Sequence, residues 1–225
     1  MQKKLNGKEI GESCFMILYL FFILVAAIIF IRDSNYYLLT MTLILGIGDA
    51  FHLIPRIKKN LKGDYKDSEF FLGLGNKISS ITMTIFYIFL AYLLAFPFMK
   101  EFTNVIVVIA HVFIILVPSK GDLVPFVLSL LAITRIILCL LPQNNWYQKE
   151  GNKKWSIIRN IPFTIMGIII AIMAFYYKEI YVGILIILSF IFYLIVVLGA
   201  KKNPKLGMFM IPKTICYILM IAHYL

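Results

Sequence analysis

The chain reads as all-α, a polytopic transmembrane helix bundle of about eight spans forming a single integral membrane domain over residues 1–225. Three observations predict this. Hydrophobic residues fill 61% of the 225 positions and mean hydropathy is +0.91, where a soluble domain is about half apolar. The apolar residues form continuous Ile-, Leu- and Phe-rich runs near the roughly 20-residue length that a bilayer core requires. Those runs lack two-residue alternation. Of the two architectures that satisfy every backbone polar group in lipid, this selects the helical bundle over the closed barrel.

Taken in order, the first span covers about 14–31, Cys14 to Ile31, and ends on Arg32-Asp33. That ending is no small-residue cleavage site, so the run reads as a retained span. A second span, about 37–54, leads into a polar loop over 55–75 that holds Arg56, Lys58, Lys59, Lys62 and Lys66. The third, about 76–98, opens on Asn76-Lys77-Ile78-Ser79-Ser80. A short fourth, about 103–118, contains His111, and the fifth, about 122–141, contains Arg135. After a loop over 142–155 with Trp146 and Trp155 come the sixth (156–177), seventh (180–199) and eighth (206–225) spans.

Eight crossings place both termini on one side, and the lysines of the N-terminus and of region 55–77 make that side cytoplasmic. Lys149, Lys153, Lys154, Lys201, Lys202 and Lys205 then fall outside, against the positive-inside rule, unless the fourth segment does not cross. Richness in Ile, Lys and Phe points to a bacterial cytoplasmic membrane. The net charge of +11 is assigned to helix-flanking Lys and Arg facing anionic headgroups. No basic run is long enough to track a phosphate backbone, so nucleic acid is not an expected partner. Cys14, Cys139 and Cys216 have no Cys-x-x-Cys spacing and read as small buried hydrophobes.

Functional candidates are the ionisable groups inside spans. Asp49 and His52, three residues apart, share a helix face, and Arg56 follows one turn later. A charged side chain at membrane depth costs on the order of 3 kcal/mol, so it persists facing a protein interior or a wet cavity. Arg135 lies mid-span and needs an anion or several carbonyls. It either pairs with Asp49 or holds a lipid phosphate, which a guanidinium suits. Lys77 either snorkels to the interface, pairs with Asp49 or binds phosphate. Ser79, Ser80, Thr82 and Thr84 serve helix contacts or a headgroup, and no Gly-x-Ser-x-Gly elbow supports a serine hydrolase. Lys213, after Pro212, is a weaker version of Arg135, while Arg159 and the pair Trp146 and Trp155 read as interfacial. His52, His111 and His223 are zinc-type ligands in three different spans without metal-site spacing, so no metal and no other cofactor is expected.

Gly48-Asp49-Ala50-Phe51-His52-Leu53-Ile54-Pro55-Arg56 has the form Gly-Asp-Ala-x-x-Leu-x-Pro-Arg and resembles the second-helix signature of the YhhN family, the lysoplasmalogenase-like membrane proteins. Gly73-Leu74-Gly75, Gly183 to Leu194 and Cys216-Tyr217 resemble other helices of that family less specifically. The resemblance implies an eight-helix protein that hydrolyses the vinyl-ether bond of a lysoplasmalogen or related lysolipid, with a membrane lysophospholipid as partner. Asp49 matches the family's acidic residue, whereas Ile81 and Phe190 stand where it carries a His and an Asp. On this reading Asp49 and His52 are catalytic, and Arg135, Lys77, Arg56, Ser79 and Ser80 bind substrate. The alternatives are a non-enzymatic lipid- or small-molecule-binding protein and a metal-dependent intramembrane hydrolase.

Overall fold

The computed structural model describes residues 6–98, 123–148, 151–200 and 203–225. Among these, seven helices are long and apolar enough to cross a membrane, and no strand occurs. They are α1 (Gly7–Arg32), α2 (Tyr36–Lys62), α3 (Ser68–Ala95), α4 (Leu123–Leu140), α5 (Lys153–Tyr176), α6 (Ile180–Gly199) and α7 (Met210–Ala222), the last reaching spanning length, Lys205–Ala222, with the 3-10 turn before it. A 3-10 turn over Pro204–Phe209 leads into α7, and another covers Pro142–Asn144. The expected fourth span, 103–118 with His111, lies outside the described residues.

Asparagines start three of the helices. The side chains of Asn6, Asn35 and Asn152 accept hydrogen bonds from the backbone N–H groups of Lys8, Leu38 and Trp155, satisfying donors that a helix start leaves open. Helix α1 shows the membrane pattern: Leu18, Phe21 and Ile28 face outward while Tyr19, Ile23, Ala26 and Phe30 are buried. Helix α3 is the central rod. Phe86, Tyr87, Phe89 and Leu90 are fully buried, and the helix packs on α2, α4 and α5.

The polar loop expected over 55–75 is mostly helix. Helix α2 runs through Pro55 to Lys62, α3 begins at Ser68, and only residues 63–67 connect them. Pro55 removes the N–H that would bond the Phe51 carbonyl. Membrane helices tolerate this where a neighbouring element covers the freed group. Here α3 does so: a side-chain carbon on Gly75 would run into the Phe51 carbonyl oxygen, and one on Gly48 would meet Thr82. Two glycines, one on each helix, thus let α2 and α3 approach closely, Gly75 against the α2 backbone and Gly48 against the Thr82 side chain.

The start of α1, the end of α2, the start of α3, the end of α4, the start of α5, the end of α6 and the start of α7 all meet at one end of the bundle, around a shared cavity. At the other end the turns after α1 and α5 lie with the last residues, where His223 Nε2 bonds Glu179 at 3.1 Å. Helix α4 begins at the end where α3 stops, so the expected charge split is corrected. Lys153, Lys154 and Lys205 share an end with Lys8, Lys58, Lys59, Lys62 and Lys66. The opposite end, among the described residues, carries Arg32, ion-paired to Asp33, and Lys178 beside Glu179.

Replacing Gly75 by Ala is expected to force the helices apart and cost about 1–3 kcal/mol, the scale of overpacking in a close-packed core. Gly11→Ala, with no atom near the added carbon, leaves stability unchanged or higher. Thermal unfolding of the two variants in one detergent measures the contrast.

Candidate intramembrane site

The cavity at the lysine-rich end has a volume of about 350 Å³ and reaches from the membrane end of the helices to Asp49 and Met83. Six of the seven predicted site residues line it: Asp49, His52, Arg56, Ser79, Ser80 and Arg135. Lys77 does not. Asp49 is bonded by Tyr19 and Ser79 instead, so the readings of Lys77 as a partner for Asp49 or as a ligand-binding residue of this cavity are corrected.

Asp49 stands at the midpoint of α2, roughly 20 Å along the axis from either end. Two hydroxyls hold it. Tyr19 of α1 donates to Oδ2 at 2.9 Å, and Ser79 of α3 donates to Oδ1 at 2.8 Å. Hydrogen bonds to a carboxylate are worth about twice neutral ones, and the low dielectric strengthens them further. The close approach of α2 to α3 at Gly48 and Gly75 brings Ser79 within reach. The expected Asp49–Arg135 ion pair does not form; hydroxyls one helix away on either side take its place.

His52 lies on the same face one turn from Asp49 and lines the cavity, with its Nδ1 buried and lacking a hydrogen-bond partner. Arg56, a further turn outward, reaches Glu12 of α1 at 3.4 Å. Both groups are partly exposed, so this pair contributes little. Ser80 donates to the carbonyl of its own helix at Asn76, 2.7 Å away, and its oxygen remains on the cavity wall.

Arg135 is 1% exposed, and its guanidinium carbon lies 3.3 Å from the centre of the Phe163 ring. Around it the structure gathers groups that sequence reading placed elsewhere. Arg159, expected at the interface, donates to Asn144 Oδ1 at 2.8 Å and to Ser156 Oγ at 3.3 Å, and lies over Trp146. Asn160 accepts from the Tyr193 hydroxyl at 2.6 Å and donates to the Ser156 carbonyl at 2.8 Å. Lys213 lines the same cavity within electrostatic range of both Asp49 and Arg135. The tryptophan read as belt, Trp146, has its indole N–H bonded to the Cys139 carbonyl and one face turned to Arg159. One signal for part of this set was present in the sequence: Asn160, an amide inside an apolar run one turn after Ser156. Nothing in the chain order marked Tyr19 or Tyr193 among thirteen tyrosines.

His52 and His223 stand at opposite ends of the bundle, and His111 lies outside the described residues. No group of three His, Cys, Asp or Glu able to hold a metal occurs among the described residues.

Tyr19→Phe and Ser79→Ala each remove one donor to Asp49 and are expected to cost about 1.5–3 kcal/mol. In the Asp49→Leu background the same changes cost much less, because the group they serve is gone. Double-mutant cycles from thermal unfolding in detergent check both. No protein-family model, curated protein or solved structure matches the chain, so a functional reading starts from the chemistry of this cavity.

Proposed function

We propose that this is a YhhN-like membrane hydrolase that cleaves the vinyl-ether bond of a lysoplasmalogen or a related lysolipid, with its N-terminus and cavity mouth in the cytoplasm. The observation that carries the reading is convergence: Asp49 and His52 share one membrane-depth cavity with Arg56, Arg135, Arg159 and Lys213. Its volume lies within the range of small-molecule sites, and its excess of cations suits an anionic headgroup.

Hydrolysis of a vinyl ether adds one water and needs two proton movements. The Asp49 carboxyl delivers a proton to the outer carbon of the double bond, which leaves positive charge shared between the inner carbon and the ether oxygen. Water adds to that inner carbon as the His52 imidazole, one helical turn away, takes its proton. The hemiacetal then collapses to a fatty aldehyde and the free hydroxyl of the glycerophospho-headgroup. Tyr19 and Ser79 orient the carboxyl throughout. Ile81 and Phe190 replace two polar residues of the YhhN pattern, and Phe190 packs against Phe163 and Tyr87 in the apolar core. Catalysis on this chain therefore rests on His52.

A specific observation favours a second reading. Both carboxylate oxygens of Asp49 already accept hydroxyl hydrogens, an arrangement that also serves a purely binding protein. The two readings separate in one assay. Purified protein given lysoplasmenylethanolamine in detergent is expected to release aldehyde, and Asp49→Asn to lower the rate by about 10² or more while still unfolding cooperatively. Lipid binding without aldehyde from the parent protein selects the binding role.

The orientation rests on the lysines gathered at the cavity end. In a chain whose native cysteines are replaced by Ser, Lys66→Cys is expected to react with an impermeant thiol reagent only in inverted vesicles. Lys178→Cys reacts only in intact cells. The reverse pattern removes the cytoplasmic assignment.

A further inference from the structure

Arg135 carries a buried charge that the protein leaves unanswered. Its Nε and Nη1 are buried without a hydrogen-bond partner, and the polar side chains around it are the neutral Tyr193, Tyr217 and the weak sulfur acceptor of Cys139. A guanidinium stays protonated in proteins, so burial does not neutralise it. Ring stacking on Phe163 offsets part of the cost of desolvation but satisfies none of the N–H groups.

A second cation makes the deficit larger. Lys213 is 7% exposed, and its ammonium rests 4.9 Å and 5.1 Å from the rings of Tyr193 and Tyr217. It forms no ion pair within 4 Å among the described residues, and Asp49, already held by two hydroxyls, attracts it from across the cavity. Arg159 adds a third, held by the neutral Asn144 and Ser156. Across the whole cavity wall, Arg56, Arg135, Arg159 and Lys213 face two carboxylates. One of these, Glu12, is turned to Arg56, and the other, Asp49, is turned to Tyr19 and Ser79. Like charges concentrated in a low-dielectric pocket repel, and the arrangement is stable when an anion occupies the space between them.

We propose that Arg135 and Lys213, with Arg159 beside them, form a binding subsite for a phosphate group in the same cavity as the Asp49 and His52 pair. Arg135 offers its open N–H donors, Lys213 a compact charge from α7, and Phe163 holds the guanidinium plane. A phosphate with two or more acceptor oxygens matches this set in a way that a single carbonyl does not. The phosphate belongs either to a lysophospholipid headgroup or to a free ion. The subsite does not depend on hydrolysis: its occupant binds whether or not Asp49 and His52 react with anything.

The test uses the full chain in a non-ionic detergent and in buffer free of phosphate and sulfate. Its probes are lysophosphatidylethanolamine, monooleoylglycerol and inorganic phosphate, each read by calorimetry and by the shift in unfolding temperature. At least one phosphate probe is expected to bind and to raise the unfolding temperature of the parent. That affinity falls about 30-fold or more in Arg135→Gln and in Lys213→Gln, with Arg135→Lys retaining part of it. Monooleoylglycerol, which has the chain but no phosphate, binds parent and variants alike and shows that the variants are folded. Binding of the lysolipid alone assigns the phosphate to a headgroup, and binding of the inorganic ion as well assigns it to either source; both support the subsite. With no ligand, Arg135→Gln unfolds at the same temperature as the parent or higher, since it removes an unanswered charge. Equal affinity of parent and both Gln variants for the phosphate probes, or no phosphate binding by the parent, overturns the proposal. So does a large loss of stability in ligand-free Arg135→Gln, which would show the guanidinium to be structurally satisfied.

Discussion

One carboxyl held by two hydroxyls organises the membrane interior of this protein. Asp49 is at the midpoint of its helix, where a charge without partners costs on the order of 3 kcal/mol or more. Tyr19 and Ser79 come from the helices on either side, so the cost is met by contacts that also join α1, α2 and α3. The clamp requires the α2 and α3 backbones to be almost in contact. Gly48 and Gly75 permit that, and the carbonyl freed by Pro55 is covered in the same place. A proline inside a helix, a pair of glycines and a buried acid are therefore one packing solution.

Around the clamp the balance of charge tips the other way. Most polar groups on the cavity wall are satisfied locally: Asn160 by Tyr193 and the Ser156 carbonyl, Arg159 by Asn144 and Ser156, Ser80 by its own helix. The exceptions are His52, whose Nδ1 has no partner, and the cations Arg135 and Lys213, which both rest on aromatic rings. Aromatic faces hold a cation in place without using its donors. The Nε and Nη1 donors of Arg135 stay open, whereas a carboxylate partner would have consumed them. At the far end, by contrast, Arg32 is answered directly by Asp33.

Much of the fold was legible in the chain order. Span length and apolar continuity located α6 to the residue and α4 to within one, because lipid imposes a narrow length window on a helix. The loop expected over 55–75 failed for a physical reason: five cations and a proline look like a membrane exit, yet charged residues are compatible with helix, and α2 continues to Lys62 while α3 starts at Ser68. Eight crossings would have put Lys153, Lys154 and Lys205 at the end opposite Lys8, whereas the packing of the described helices puts them at the same end. The end at which α4 starts is a property of packing and is not encoded in hydropathy.

The sequence by itself determined that the protein is a helical membrane bundle, and that Asp49, His52 and Arg135 are costly enough at their depth to need a reason. Hydrophobicity and ionisation are properties of single residues, readable wherever they stand. Which groups face one another was decided only by the tertiary structure. Asp49 meets Tyr19 thirty residues before it and Ser79 thirty after it, and Arg135 meets Lys213 from the last helix. Those pairings depend on helix rotation and close approach, set by glycines and aromatic packing across several helices at once, and no local pattern along the chain carries that information.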